Sequence, residues 1–328
     1  MSIEIKHHEE VVSVINDSGF KCIAYLDLLG FSCYAKNEPH TAHNMLLDVN
    51  NIFQSMYINE KMTNTEFDAF EVFLPFSDSI FIVGSDANKL IESLSVLLIK
   101  WFWKTRNGDY MALNEYNQLT REFVTNEVER KPILFRGGIS YGKVMQSKSN
   151  LAIWDGQPLN KSEFPNLYGR GVVSAVGLEK SGQGCTLFID DRFNEQLNDE
   201  NRKFVKATAD GKAKYFLWQA FLSNWHSSSA YNIKLTHNWT APFSQSPPPV
   251  DMKSFLEVVI RLYIENAGKC TEVKSHYEEF IKTTIESYIA GSRRFYPEDV
   301  QSLIDNVKSL CCEKLYSELF NRFVGYIM

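Results

Sequence analysis

The chain has 328 residues, of which 44% are hydrophobic and 23% are charged, and this composition excludes a largely disordered protein. Its net charge of −6 at pH 7 argues against a general affinity for nucleic acid. No stretch approaches the roughly 20 apolar residues of a membrane-spanning helix, and the amino terminus lacks the apolar core of a signal peptide, so we expect no membrane insertion.

The six cysteines indicate the compartment in which the protein acts. They form neither a CxxC pair nor a Cys-His spacing typical of metal sites. We therefore interpret them as reduced thiols and expect a cytoplasmic protein.

The first predicted elements are a strand, a helix and a hairpin. Residues 20–28 are apolar and compatible with a β-strand, and residues 38–58 carry apolar side chains at helical spacing. Residues 70–75 and 79–84 are predicted to form the two strands of a hairpin, with Asp78 in its turn.

Strands and helices continue to alternate after this hairpin. The further elements are a helix at 88–103, a polar excursion at about 105–131, a glycine-punctuated strand at 135–144, a helix at 169–181, a strand at 185–189 and a mixed segment at 192–222. This alternation indicates an α/β or α+β layer fold.

The composition changes in the last third of the chain. Residues 223–250 are rich in Ser, Asn and Pro, which predicts an extended linker. Helical periodicity then returns in three segments, at 251–266, 270–290 and 297–325. We therefore divide the chain into a first domain of residues 1–222, the linker, and a helical appendage of residues 251–328.

Two aspartates carry the clearest chemical signal. Asp27 lies within the apolar run IAYLDLLGF, and Asp78 follows the run FLPFS. An ionised carboxylate among apolar side chains is costly unless a cation or hydrogen-bond donors neutralise it. The pair therefore predicts one shared site for divalent metal ions.

Residues 20–222 resemble the catalytic domain of class III nucleotidyl cyclases. In that family a strand ending in Asp-x-x-Gly-Phe supplies the first metal ligand, matched here by the run DLLGF that begins at Asp27. The second ligand sits at a hairpin tip, matched by Asp78. The resemblance implies an α+β fold of the ferredoxin-like βαββαβ type, followed here by the C-terminal helical appendage.

The same resemblance implies a reaction in which the ribose 3′-hydroxyl attacks the α-phosphorus and pyrophosphate leaves. Two Mn²⁺ or Mg²⁺ ions would lower the pKa of the hydroxyl and neutralise the triphosphate. The resemblance assigns metal binding to Asp27, Leu28 and Asp78, and phosphate binding to the helix start formed by Leu28, Leu29, Gly30 and Phe31.

Two later motifs extend the resemblance. The run FRGGISYG at 135–142 is similar to the family's Arg-x-Gly-Ile-x-x-Gly strand, and it places Arg136 where the family arginine contacts phosphate. Residues 166–179 resemble the family's aromatic-Gly turn and helix. In this helix the transition-state asparagine and arginine of the family fall on Val173 and Gly177, so neither can do its usual work.

Another cation must therefore stabilise the charge that develops on the transferring phosphoryl group. Arg170, on the turn before the helix, is the preferred catalytic residue, and Lys180 is the alternative.

The positions that read a purine base in the family are also changed. A lysine is replaced by Leu74, and an aspartate is replaced by Asn166. With the metal acids kept and the purine contacts replaced, the chain is similar to the pyrimidine cyclases of Pycsar anti-phage defence. This resemblance implies UTP or CTP as substrate and cyclic UMP or cyclic CMP as product, with Tyr168 stacking on the base and Asn166 bonding to it.

Class III sites form between two such domains, and one domain of this kind fits in the chain. The resemblance therefore implies a head-to-tail homodimer. It also implies a separate downstream effector that senses the cyclic nucleotide.

Two alternatives stay open at this point. Val173 and Gly177 favour a catalytically inactive cyclase-like domain that serves as a nucleotide sensor or dimerisation module. A purine nucleotide cyclase with altered contacts is disfavoured by Leu74 and Asn166.

Overall fold

The computed structural model describes residues 14–62, 69–117, 121–153, 160–221, 252–266, 271–291, 305 and 317. Its strands are β1 (Val14–Leu28), β2 (Val72–Phe76), β3 (Ser79–Gly84), β4 (Tyr110–Asn117), β5 (Glu122–Glu129), β6 (Phe135–Ile153), β7 (Asn160–Tyr168), β8 (Leu187–Ile189), β9 (Val205–Ala207) and β10 (Lys214–Phe216). Its helices are α1 (Phe31–Asn37), α2 (Pro39–Met62), α3 (Ala87–Thr105), α4 (Arg170–Glu179), α5 (Asp191–Gln196), α6 (Asp199–Arg202), α7 (Met252–Asn266) and α8 (Thr271–Gly291).

The central sheet has the strand order β2-β3-β1-β6-β8-β10-β9, and β7 pairs with β6. The first four strands of this order pair with one another in the antiparallel sense, and β6 is parallel to β8. Helices α1 and α2 precede the β2–β3 hairpin, and α3 precedes β6 in the chain. This is the βαββαβ arrangement, and the predicted α+β fold is confirmed.

The two faces of β1 are buried by different elements. Cys22, Ala24 and Leu26 belong to the main core, which also contains apolar side chains of α2 and α3. Because side chains alternate along a strand, Ile23 points to the other face and packs with Val172 of α4. Both faces of β1, the strand that carries Asp27, are therefore covered by helices.

Helices α7 and α8 share the main core with the sheet domain. Phe255 of α7 and Phe280 of α8 lie 4.7 and 5.5 Å, ring centre to ring centre, from Phe102 of α3. Trp218, just after β10, stacks on Phe280. The helices predicted at 251–266 and 270–290 are thus confirmed, while the division of the chain into domains stays a prediction.

Two predicted segments lie outside the described residues. They are the linker at 223–250 and most of the third helical segment at 297–325. Among the described helices, none is both long and apolar enough to cross a membrane.

Strand β6 is longer than the sequence predicted. It continues past residue 144 to Ile153 and pairs with β7, a strand that the sequence pattern does not predict. The run SKSN at 147–150 lacks the alternation of apolar residues by which a strand is recognised in a sequence. This part of β6 is a strand because it pairs with β7. The polar excursion at 105–131 contains the hairpin β4–β5.

Candidate active site

Asp27 stands near the end of β1, between two neighbouring strands. Its cross-strand partners are Ser79 of β3 and Arg136 of β6. Ser79 Oγ donates to Asp27 Oδ1 across 3.4 Å, and Arg136 Nη2 donates to Asp27 Oδ2 across 3.3 Å. Tyr25 shares a 2.9 Å hydrogen bond with Ser79, so the carboxylate sits in a polar cluster on the α4 side of the sheet.

Asp78 lies in the two-residue turn that joins β2 and β3, as predicted. Ser77, the first residue of the turn, adopts a left-handed conformation with φ of 57°. The backbone amide of Leu28 donates to the Asp78 carbonyl oxygen across 2.9 Å. This bond ties the hairpin turn to the end of β1, so the two aspartates predicted to act together are neighbours.

The pKa of Asp27 reflects this setting. Burial raises the pKa of the Asp27 carboxyl above its usual value, and the negative charge of Asp78 raises it further, while Arg136 opposes both effects. The ionised pair is therefore electrostatically unfavourable by itself. A divalent cation between the two carboxylates would relieve the repulsion.

Arg136 connects Asp27 to a second carboxylate. Its Nε lies against Oε1 of Glu179, the last residue of α4, in an ion pair. Neither atom has a hydrogen-bond partner of good geometry among the described residues. Burial raises the pKa of Glu179, and Arg136 lowers it. The signal for Glu179 in the sequence is the Leu-Glu pair at 178–179, which resembles the end of the corresponding class III helix but predicts no role for the glutamate.

Glycines in β6 explain why α4 comes so close to the sheet. A Cβ atom on Gly138 would lie 2.1 Å from the backbone oxygen of Ala175, and one on Gly142 would lie 2.9 Å from Cα of Gly171. Such contacts are too short for any side chain. The backbone of α4 therefore rests directly on β6, which brings Glu179 to Arg136.

The turn after β1 was predicted to bind phosphates. Gly30 has φ of 78° and caps α1, so the chain turns sharply from the strand into the helix. Phe31 is buried in the core. The amides of Leu28 and Leu29 already donate to protein carbonyls, those of Asp78 and Leu134. Phosphate binding by amides of this turn would therefore fall on Gly30 and Phe31.

A cleft of about 270 Å³ opens beside Asp78. Its walls are mostly apolar, with few polar groups besides this carboxylate. The lining residues are Leu28, Leu46, Val49, Asn50, Pro75, Ser77, Asp78, Ile80 and Phe135.

The other predicted site residues divide into two groups by position. Leu74 pairs with Phe81, and Phe81 pairs with Tyr25, so Leu74 faces the same side of the sheet as Asp27. Asn166 and Tyr168 do not join Asp27 within one chain. They pair with Ser147 and Met145 of β6, and Met145 lies roughly 30 Å along this strand from Arg136.

Arg170 also lies away from the aspartates of its own chain. It begins α4, whereas Glu179 ends the same helix about 14 Å away. Arg170 lines a separate cleft of about 230 Å³ together with Tyr141, Asp190 and Arg192.

Two departures from the class III pattern lie on the outer side of α4. The Val173 side chain is 72% exposed, and a Cβ atom on Gly177 would meet no atom within 4 Å. The surface of α4 thus carries the apolar side chain of Val173 at the position of the asparagine in the class III pattern. At Gly177, the position of the arginine in that pattern, it carries no side chain.

The donor set fits a magnesium- or manganese-type ion. Mg²⁺ is usually held by one or two carboxylates together with waters and substrate phosphates. Asp27 and Asp78 supply two carboxylates, and the repulsion between them favours a cation. Across the described ranges there is no cluster of three or more His, Cys, Asp or Glu residues suited to a metal, as a closed structural site would need.

Comparisons with known proteins find similarity among solved structures. No family model matches the chain, and no curated protein matches it. The guanylyl cyclase Cya2 is 14% identical with a TM-score of 0.37, and the match covers 62% of this chain and 93% of that one. The guanylate cyclase domain of RhGC from Catenaria anguillulae, in complex with GTP, is 14% identical with a TM-score of 0.38, covering 61% and 94%. The adenylyl cyclase CyaB from P. aeruginosa is 14% identical with a TM-score of 0.34, covering 61% and 95%.

Proposed function

We propose that this protein is a nucleotide cyclase that converts UTP or CTP to the 3′,5′-cyclic monophosphate and pyrophosphate. The observation that carries the proposal is the bond between the Leu28 amide and the Asp78 carbonyl, which holds the hairpin turn that contains Asp78 against the end of β1, next to Asp27. Arg136 lies next to Asp27, where its guanidinium could bind a phosphate.

Asp27, Leu28 and Asp78 would hold the divalent ions. When bound, these ions supply neutralisation of the triphosphate and a lowered pKa of the ribose 3′-hydroxyl. Burial of Asp27 beside Asp78 supports this assignment, since a site built only for packing would not place two carboxylates together.

The remaining work falls to arginines. In the reaction a bond forms between the 3′-oxygen and the α-phosphorus, the bond to the β-phosphate oxygen breaks, and the hydroxyl proton passes to solvent. Arg136 would orient the phosphates through its planar fork. Arg170 would stabilise the charge that develops on the transferring group.

A complete site needs two chains. Arg170 and Tyr168 lie far from Asp27 in their own chain, so they can contribute only to the site of a partner. Exposed apolar side chains support a head-to-tail homodimer. Phe76 is 73% exposed and lies opposite Ser79, beside the aspartates, and Val173 is 72% exposed on α4.

The pyrimidine preference and the biological role rest on the sequence resemblance. Leu74 offers no hydrogen-bonding group to a base, which leaves Asn166 and Tyr168 as the base contacts of the proposal. The cyclic nucleotide would act as a second messenger in anti-phage defence and would be sensed by a separate effector.

One observation favours a second candidate function. Because Val173 and Gly177 give α4 neither of the family's transition-state groups, the chain is alternatively a nucleotide-binding or dimerisation module without turnover.

Incubation with ATP, GTP, CTP and UTP in turn, with Mn²⁺ or Mg²⁺, separates these functions when the products are analysed by mass spectrometry. We expect a cyclic pyrimidine monophosphate from the wild type. Asp27→Asn and Asp78→Asn should each lower turnover at least about 100-fold. Asp210→Asn, in the exposed turn before β10, is the matched control. Binding without any product would support the module, and a cyclic purine product would overturn the base preference.

A further inference from the structure

Glu179 is a third carboxylate beside the proposed metal site. It is 5% exposed, and its Oε1 lies against Arg136 Nε. Arg136 in turn donates from Nη2 to Asp27 Oδ2 across 3.3 Å. One guanidinium therefore connects a proposed metal ligand to a buried glutamate.

The two contacts of this guanidinium are unequal. Charge-assisted hydrogen bonds between an arginine and a carboxylate are typically about 2.7–2.9 Å long, so the contact of Arg136 with Asp27 is a loose one. Arg136 Nε forms an ion pair with Glu179 Oε1, and Glu179 is the more buried of the two carboxylates. Arg136 is thus shared between a loosely bonded Asp27 and a buried Glu179.

Glu179 is also fixed in place. It ends a helix whose backbone rests on Gly138, and its side chain is buried. Among the described residues, Asp27 and Glu179 are the carboxylates paired with Arg136. Loss of the charge on Glu179 would leave Asp27 as the remaining carboxylate partner of Arg136.

We infer that Glu179 is a positioning residue that holds Arg136 back from Asp27, so that Asp27 can exchange the guanidinium for a divalent cation. Arg136 then keeps a carboxylate partner and stays beside the site, ready for a phosphate. This inference rests on the proposed function, because it takes Asp27 and Asp78 as metal ligands.

A double-mutant cycle on Mn²⁺ binding tests the inference without turnover. The full-length chain is titrated with Mn²⁺ in the absence of nucleotide, and free Mn²⁺ is measured by electron paramagnetic resonance. We expect Glu179→Gln to weaken binding on the order of fivefold, since Arg136 then pairs fully with Asp27. Arg136→Gln should tighten binding, and the double variant should bind like Arg136→Gln alone.

The cycle distinguishes positioning from a general charge effect. If Glu179 only adds negative potential, its loss weakens Mn²⁺ binding by a similar factor with or without Arg136, and that result overturns the inference. Glu195→Gln removes the same charge from an exposed position on α5 and is the matched control. If Glu179→Gln does not fold, Arg136→Gln still decides, because unchanged or weaker binding contradicts the inference.

Asp78→Asn separates the two levels of the proposal. Unchanged Mn²⁺ binding in this variant would overturn the metal site, and the inference with it. Loss of binding in Asp78→Asn, together with equal affinities for Glu179→Gln and Glu195→Gln, would overturn the inference alone.

Discussion

Gly138 lies directly under the backbone carbonyl of Ala175, so that a Cβ atom on the glycine would be 2.1 Å from the carbonyl oxygen. The same Cβ atom would be 2.6 Å from Cβ of Leu178. This contact sets the height of α4 above the sheet. It therefore also sets the position of Glu179 relative to Arg136.

Gly138→Ala should destabilise the protein. The added methyl group would push α4 away from β6, and overpacking of this kind costs about 1–3 kcal/mol. Thermal unfolding followed by circular dichroism measures the loss as a lower Tm.

Gly177→Ala is the matched control on the same helix. A Cβ atom there meets nothing within 4 Å, and alanine is favoured over glycine in a helix by about 0.8–1 kcal/mol. We expect a slightly higher Tm. Equal effects of the two substitutions would show that the close packing at Gly138 does not constrain α4.

The pairing of Asp27 with Asp78 could be predicted because its signals are local. The apolar run before Asp27 predicts a strand, and two short apolar segments around Ser77 and Asp78 predict a hairpin. The motif resemblance then brought these local elements together. The structure confirms the strand that carries Asp27 and the hairpin, and it places Asp78 in the turn between the two strands of the hairpin.

The link from Arg136 to Glu179 could not be predicted in this way. It depends on how closely α4 packs on β6, and that depends on contacts between residues far apart in the chain. The glycines in the run FRGGISYG are visible in the sequence, but a glycine in a strand indicates a bend as readily as a close backbone approach. The continuation of β6 into its pairing with β7 was missed for a similar reason, because partner strands rather than apolar alternation form it.

Cysteine reactivity tests the fold independently of the site. Burial raises the pKa of Cys22 to about 12, and it raises the pKa of the fully buried Cys185 thiol strongly as well. Cys33 is exposed on α1. Because the thiolate is the reactive form, both buried thiols should resist iodoacetamide at pH 8 while Cys33 is alkylated.

Peptide mass spectrometry measures the extent of alkylation at each position. In concentrated urea all three thiols should react, which is the control for intrinsic reactivity. Rapid alkylation of Cys22 in the native protein would contradict its place in the core between β3 and β6.

Arg170→Ala should reduce kcat about 100-fold and change nucleotide affinity little. The reason is that a cation acting on developing charge contributes in the transition state and not in the ground state. Steady-state kinetics with the preferred nucleotide, together with nucleotide binding in the absence of turnover, measure both quantities.

Lys180→Ala is the comparison for Arg170, since Lys180 is the alternative cation at the other end of α4. We expect its kcat to stay within a few fold of the wild type. A large loss in Lys180→Ala and none in Arg170→Ala would transfer the role to Lys180.

Mixed dimers test whether one site combines residues of two chains. Asp27→Asn and Arg170→Ala chains, each expected to be about 100-fold less active than the wild type alone, are mixed in equal amounts and allowed to exchange subunits. In a head-to-tail dimer, half of the assemblies are mixed, and each mixed dimer has one intact site and one doubly altered site. About one quarter of the wild-type activity should therefore return.

The geometry of α4 makes this outcome specific. Arg170 and Glu179 lie at opposite ends of the helix. Glu179 contacts Arg136 of the same chain, and Arg136 contacts Asp27. If Arg170 acted within its own chain, every mixed dimer would carry one altered residue in each site, and no activity would return. A mixture of Asp27→Asn and Asp78→Asn chains is the control. One chain supplies both aspartates to a site, so each site of a mixed dimer keeps one substitution and the two variants should not complement each other.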